Sequence, residues 1–241
     1  MDRLIYLAMS GAKATLQRQD LLANNLANAS TNGFRAELQA FRAVPVRGDG
    51  ASTRVFALES TVGHDGRSGP VQATGRALDV AMQGEAWLAV QALDGTEGYT
   101  RAGALQLGAD GQLLTAAGLP VVGDGGPITL PANAAVDVAS DGTITTRVGD
   151  DPPVQAGRLK LVTPAGPLAR GEDGLFRAAE GELPADTAAR VQSGALEGSN
   201  VSPVETMVAM IAAARQFEQQ MKVLQGAEQR EQGAARLLSP Q

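Results

Sequence analysis

The chain has 241 residues, 44% hydrophobic and only 3% aromatic, with a formal net charge of −6 and no cysteine. That length holds one large domain or two modest ones, with a core built from Ala, Val, Leu and Gly. The acidic balance argues against a nucleic-acid surface, which needs a basic face, and the lack of cysteine removes disulfides, zinc-thiolate sites and thiol nucleophiles together.

Residues 1–34 come first. Ile5, Ala8, Ala12, Leu16, Leu22 and Leu26 repeat at helical spacing with no proline among residues 1–30, so an amphipathic helix with one apolar stripe is expected. Gln19 occupies the stripe where another apolar residue belongs. Asn24, Asn25 and Asn28 are placed inside this helix, although asparagine is a mediocre helix former whose amide competes for backbone hydrogen bonds. Ser30-Thr31-Asn32-Gly33 then stops it, because Asn and Gly accept a left-handed turn. The opening has a short apolar stretch like that of a signal peptide. However, Asp2 offsets Arg3 and the stretch merges into the longer amphipathic pattern, which weighs against cleavage. No apolar run approaches the ~18 residues of a membrane span.

Residues 35–74 and 181–200 carry Gly, Pro and Ser, but also Phe41, Val44, Val46, Val55 and Phe56. A pure linker is poorer in such residues, so both are expected to be extended arms that pack on something, another chain included. Between them, 75–180 reads as a compact all-β domain. Asp-Gly pairs at 65, 94, 110, 124, 141 and 173 mark hairpin turns, and short β-like segments lie between. The spacing is too irregular for a repeat architecture.

Residues 201–241 mirror the start. Ser202-Pro203-Val204-Glu205 has the cap, first-turn proline and third-position glutamate of a helix start. Met207, Ile211, Ala214, Phe217, Met221 and Leu224 then form a heptad-like stripe, with the helix expected over about 203–232. The fold class is therefore mixed α and β: terminal helices around a central β domain.

Catalytic chemistry is thin. His64, the only histidine, stands in a Gly/Asp loop without a nucleophile motif. His64 and Asp65 are too few for a metal site. "GDGG" at 123–126 lacks the Lys-Ser/Thr of a phosphate loop and reads as a turn. No catalytic, cofactor or metal residue is assigned, and no enzyme activity is expected. The informative features are the terminal stripes. They fit either a helical hairpin within one chain, with the asparagines satisfying backbone groups, or an assembly surface. Their length, their separation by a whole domain and their small residues favour assembly, as do asparagines suited to fixing register at some cost in stability.

The stretch from Ser10 to Phe41, "SGA…LLANNLANASTNGFRAELQAF", resembles the N-terminal signature of the flagellar axial proteins: basal-body rod, hook and hook-associated proteins. The signature positions are Asn24, Asn25, Leu26, Ala27, Asn28, Thr31, Gly33 and Phe34. "ALEGSNVSPVETMVAMIAAARQFEQQMK" at 195–222 resembles the matching C-terminal helix, and "GRALDVAMQGEAWLAV" at 75–90 the start of the family's β domain. Within the family, the opening "MDRLIYLAMSGAK" and "FRAVPV" at 41–46 most resemble proximal-rod members. A distal rod or hook subunit is the alternative, and a secreted β-domain hydrolase or binding module the remote one.

The resemblance implies a subunit of the proximal rod. It would be exported by the flagellar type III apparatus without a cleaved signal peptide and assembled in the periplasm. The terminal helices would pair as a coiled-coil-like inner layer and the β domain would lie outside. The implied partners are copies of itself, other proximal and distal rod proteins and, in transit, the export apparatus and rod cap. Nucleic acid, membrane insertion and cofactors are not implied.

Overall fold

The structure is a computed structural model that describes residues 2–45, 55–131 and 134–238. The chain divides into two compact units. One comprises 1–29, 36–65 and 201–241; the other comprises 30–35 and 66–200.

The first unit contains the terminal helices, α1 (Asp2–Ala27) and α2 (Pro203–Leu238), as the sequence predicts. α2 continues past the expected stop near 232. Ser202 stands at its cap, where its hydroxyl oxygen accepts the Glu205 N–H at 3.5 Å and its carbonyl accepts the Thr206 hydroxyl at 2.8 Å. α1 ends as the turn over 28–30 begins, so Asn28 lies just outside the helix rather than in it, though its N–H still bonds to the Asn24 carbonyl.

The expected extended arm at 35–74 folds instead as an antiparallel hairpin of β1 (Glu37–Pro45) and β2 (Val55–His64), with a register shift between Ala40 and Phe41. An isolated two-stranded hairpin is marginal in water; here both strands run beside α1. The arm's apolar side chains Phe41, Val44, Val46, Val55 and Phe56 lie outside the described ones.

The second unit is built of short strands, and it extends beyond the expected 75–180. β3 (Val71–Ala73) pairs with 195–197, and β4 (Val80–Met82) pairs with 191–193. The expected return arm is thus partly strand: it runs back along the strands that open the unit. β5 (Trp87–Gln91) and β6 (Glu97–Thr100) form the middle of a five-stranded antiparallel sheet, flanked by 161–162, 169–170 and 176–177. A three-stranded sheet holds 135–138, 143–147 and 154–158. The Asp-Gly pairs at 94, 110, 124, 141 and 173 sit between paired strands, as predicted, whereas Asp65-Gly66 follows the end of β2. Asp141 accepts the Thr143 N–H at 3.0 Å, the aspartate turn bond that makes the residue useful there.

Side chains alternate across a strand, and β5 buries both of its faces. Leu88 and Val90 enter a core with Val80, Leu105, Leu113, Val121, Ile144, Leu159 and Leu161. Trp87 and Ala89 enter a second cluster with Tyr99, Val162, Leu168 and Phe176. That is why "AWLAV" reads as a continuous apolar run rather than an alternating one. The Trp87 and Phe176 rings meet at 4.7 Å, tilted by 53°.

Tyr99 makes this second cluster pH-sensitive. Its hydroxyl accepts the Leu183 N–H at 2.6 Å and donates to Glu97 at 2.9 Å, and Glu97 pairs with Lys160 at 2.7 Å. Burial pushes the phenol up to about 12, helped by the neighbouring carboxylate. The fold therefore prefers the neutral phenol. Its contribution is whole below the ordinary tyrosine value near ~10 and is lost as pH climbs through the folded value. Ultraviolet titration is expected to show one of the two tyrosines ionising late, with unfolding stability falling above pH ~10. Ionisation of both tyrosines at the ordinary value would contradict this.

Candidate assembly site

α1 and α2 lie side by side within the first unit. On α1, Ala8, Ala12 and Thr15 are buried, while Ile5, Gln19, Leu22 and Leu26 are half-buried. A Cβ built on Gly11 would stand 2.7 Å from the Gln220 amide, so the helices approach closely there. Leu16, expected in the stripe, is exposed; Thr15 takes the inward position and donates its hydroxyl to the Gly11 carbonyl at 2.8 Å. Ala27 is exposed.

On α2 the covered line is Thr206, Met210, Ala213, Phe217, Gln220, Leu224 and Ala227, in steps of four and three. Thr206, Ala213 and Ala227 are buried and the others half-buried. Of the expected stripe, Phe217, Leu224 and Ala214 are half-buried. Met207, Ile211 and Met221 do not face inward: they are 49%, 56% and 37% exposed. The fully covered positions, Thr206, Ala213 and Ala227, carry small side chains and alternate with larger half-buried ones, while Met207, Ile211 and Met221 stand one position off that line. With Val204 and Val208 they form an exposed apolar row, and α1 adds exposed Tyr6, Met9 and Leu16. Large apolar side chains gathered on a surface mark an interaction site.

The signature divides between the two units. In the first, Asn25 is buried and its amide bonds to the backbone of Glu37. Its Oδ1 accepts the Glu37 N–H at 2.8 Å and its Nδ2 donates to the Glu37 carbonyl at 3.0 Å. Asn24 is exposed. Asn28 is half-buried and donates its amide to the Asn24 carbonyl at 3.0 Å.

In the second unit, Thr31 is exposed and its carbonyl accepts the Phe34 N–H at 3.3 Å. Gly33 and Phe34 are buried, and the Phe34 ring lies under the Arg170 guanidinium at 4.5 Å. The Gly33 N–H donates to the Glu197 carbonyl at 2.8 Å. Next to them lies a feature that sequence reasoning missed. Glu197 is fully buried between Arg35 and Arg101, themselves 2% exposed. Its Oε1 accepts Arg35 Nη1 at 2.6 Å and the Gly69 N–H at 2.9 Å, and its Oε2 accepts Arg101 Nε at 2.8 Å. Arg101 also donates to the carbonyls of Met82, Gly84 and Ala86. Burial lowers the Arg101 pKa, and the Glu197 charge opposes that shift. Both guanidiniums stand about 6 Å from the Trp87 ring centre. Arg35 directly follows the Gly-Phe of the signature and Glu197 precedes Ser199-Asn200, so the only sequence hint was adjacency to the motifs.

Asn200 completes this corner: its N–H donates to the Phe34 carbonyl at 3.3 Å and its amide to the Arg67 carbonyl at 2.8 Å. No cluster of metal-ligating side chains occurs among the described residues, and no helix there is long and apolar enough to cross a membrane.

The chain matches three family patterns. One, described as flagella basal body rod protein, covers residues 5–35. A second, flagellar hook protein FlgE/F/G D1 domain, covers 81–146. The third, flagellar basal body rod FlgEFG protein C-terminal, covers 192–237. Among similar proteins, the flagellar basal-body rod protein FlgF of Salmonella typhimurium is 51% identical over 250 residues, covering 99% of both chains. FlgF of Escherichia coli is 49% identical with the same coverage. The flagellar basal-body rod protein FlgG of Agrobacterium fabrum is 31% identical, covering 93% of this chain and 96% of its own.

Proposed function

Because the chain belongs to the family of flagellar basal-body rod proteins, structural subunits of the rod, we propose that it is a proximal-rod subunit assembling through its terminal helices. The observation that carries this reading is the exposed apolar row on α2, with its counterpart on α1. α1 and α2 already cover one face of each other, so a second face, with Met207, Val208 and Ile211, is left for neighbouring subunits. Packed in register, such helices make the coiled-coil-like inner layer of a torque-bearing shaft, with the β unit outside. The neighbours are copies of this chain and other rod proteins. The 51% and 49% identities to two FlgF proteins, against 31% to FlgG, favour the proximal over the distal rod. Residence in the periplasmic rod, export by the type III apparatus without a cleaved signal, and passage past a rod cap complete the proposal. The role requires neither reaction nor cofactor.

The test places charge on the free row. Met207→Lys combined with Ile211→Lys adds two cations at positions exposed in the single chain, where substitutions usually change stability within about 0.5 kcal/mol. Purified protein should keep its helix content and Trp87 fluorescence, while cells relying on this variant should fail to complete rods and to swim. Unimpaired motility would overturn the reading.

A further inference from the structure

We propose that Asn25 is a positioning residue that clamps the β1–β2 hairpin onto α1 within a single chain. An exposed amide in a helix gains little. Asn25 is 6% exposed, and a buried amide must find partners for both its donor and its acceptor. It finds both on one residue, accepting the Glu37 N–H and donating to the Glu37 carbonyl. Side-chain amide and backbone thus pair as two strand residues pair.

The hairpin register explains why Glu37 is the residue held. The Ala36 carbonyl accepts the Asp65 N–H at 2.8 Å, closing the β2 side of the hairpin. Peptide groups alternate in direction along a strand. The Glu37 N–H and carbonyl are engaged by the helix instead, so the helix supplies one more rung to the edge of β1. Few side chains can do this. Aspartate keeps the acceptor but loses the donor, leucine loses both, and glutamine reaches one methylene too far for the same paired geometry. Asn24 is exposed, and Asn28 donates its amide to the Asn24 carbonyl. The consequence is that the start of the hairpin is fixed by a helix residue before any neighbour arrives.

The proposal concerns one chain and does not depend on the assembly reading. Its test is amide hydrogen exchange on the purified, unpolymerised full-length protein, following the Glu37 amide. In Asn25→Leu, exchange at Glu37 should quicken by about tenfold or more, while amides of β5 stay as in the wild type. Asn25→Asp, whose second oxygen faces the Glu37 carbonyl where the amide donated, should also quicken Glu37 exchange, by less than Asn25→Leu. Asn24→Ala, at an exposed position of the same helix, should leave Glu37 unchanged. If Asn25→Leu unfolds the first unit outright, the Asp variant decides: Glu37 protection as complete there as in the wild type overturns the clamp. Unchanged Glu37 exchange in Asn25→Leu overturns it too, as does Glu37 protection that appears in the wild type only on polymerisation.

Discussion

Replacing Glu197 with leucine is expected to cost the β unit about 3–5 kcal/mol, because two buried guanidiniums lose their shared counter-charge at once. The carboxylate bonds Arg35, Arg101 and the Gly69 N–H, and no exposed surface lets water take its place. Arg101 would stay pinned by three backbone carbonyls, and so could not swing out to be solvated. Trp87 is the only tryptophan and faces both arginines, so its fluorescence reports on this site. Urea unfolding followed at Trp87 measures the loss directly. Asp173→Asn is the contrast: it breaks a half-exposed pair with Arg177 and should cost at most about 1 kcal/mol. Equal losses in the two variants would show that the triad does not hold the unit together.

Gly33→Ala should be comparably damaging, for a steric rather than electrostatic reason. Gly33 has φ near 70°, and a Cβ there would collide with the Arg101 carbonyl carbon and the Ala102 nitrogen. Those atoms are backbone and cannot rotate away. The glycine cannot retreat either without giving up its bond to the Glu197 carbonyl. A left-handed alanine alone costs about 1–2 kcal/mol, and relieving the collision should bring the loss to about 3–5 kcal/mol. Gly95→Ala separates the two contributions. It has φ near 83° with nothing within 4 Å of its Cβ, so it should lose only the conformational part. If both variants lose the same amount, the close approach to Arg101 is unimportant. The expected result gives the signature glycine a role inside the β unit.

Periodicity and turn chemistry made much of this protein legible from its sequence. α1 and α2 follow from apolar spacing and caps, and the hairpins at 94, 110, 124, 141 and 173 follow from Asp-Gly pairs, since these signals act within a few residues. The signature motifs pointed to the family that the chain-wide similarities establish. The hairpin at 37–64 is not legible as one from local signals, because its rungs run from Pro45 with Val55 out to Glu37 with His64, partners that no neighbouring residue names.

The sequence by itself determined that two helices bracket a β region and that each carries a stripe. Only the tertiary structure decided which side of the stripe is covered. Hydrophobicity ranks Met207 and Ile211 above Thr206 and Ala213, but packing distance reverses that order, because small residues let helices meet. It alone also decided what Asn25 bonds to and that Arg35, Arg101 and Glu197 are one buried group. In the sequence these three are ordinary charges, separated by 96 and 162 positions from their partner. A charge becomes structural only when folding removes its water and supplies its counter-charge, and neither event is written in its neighbours along the chain.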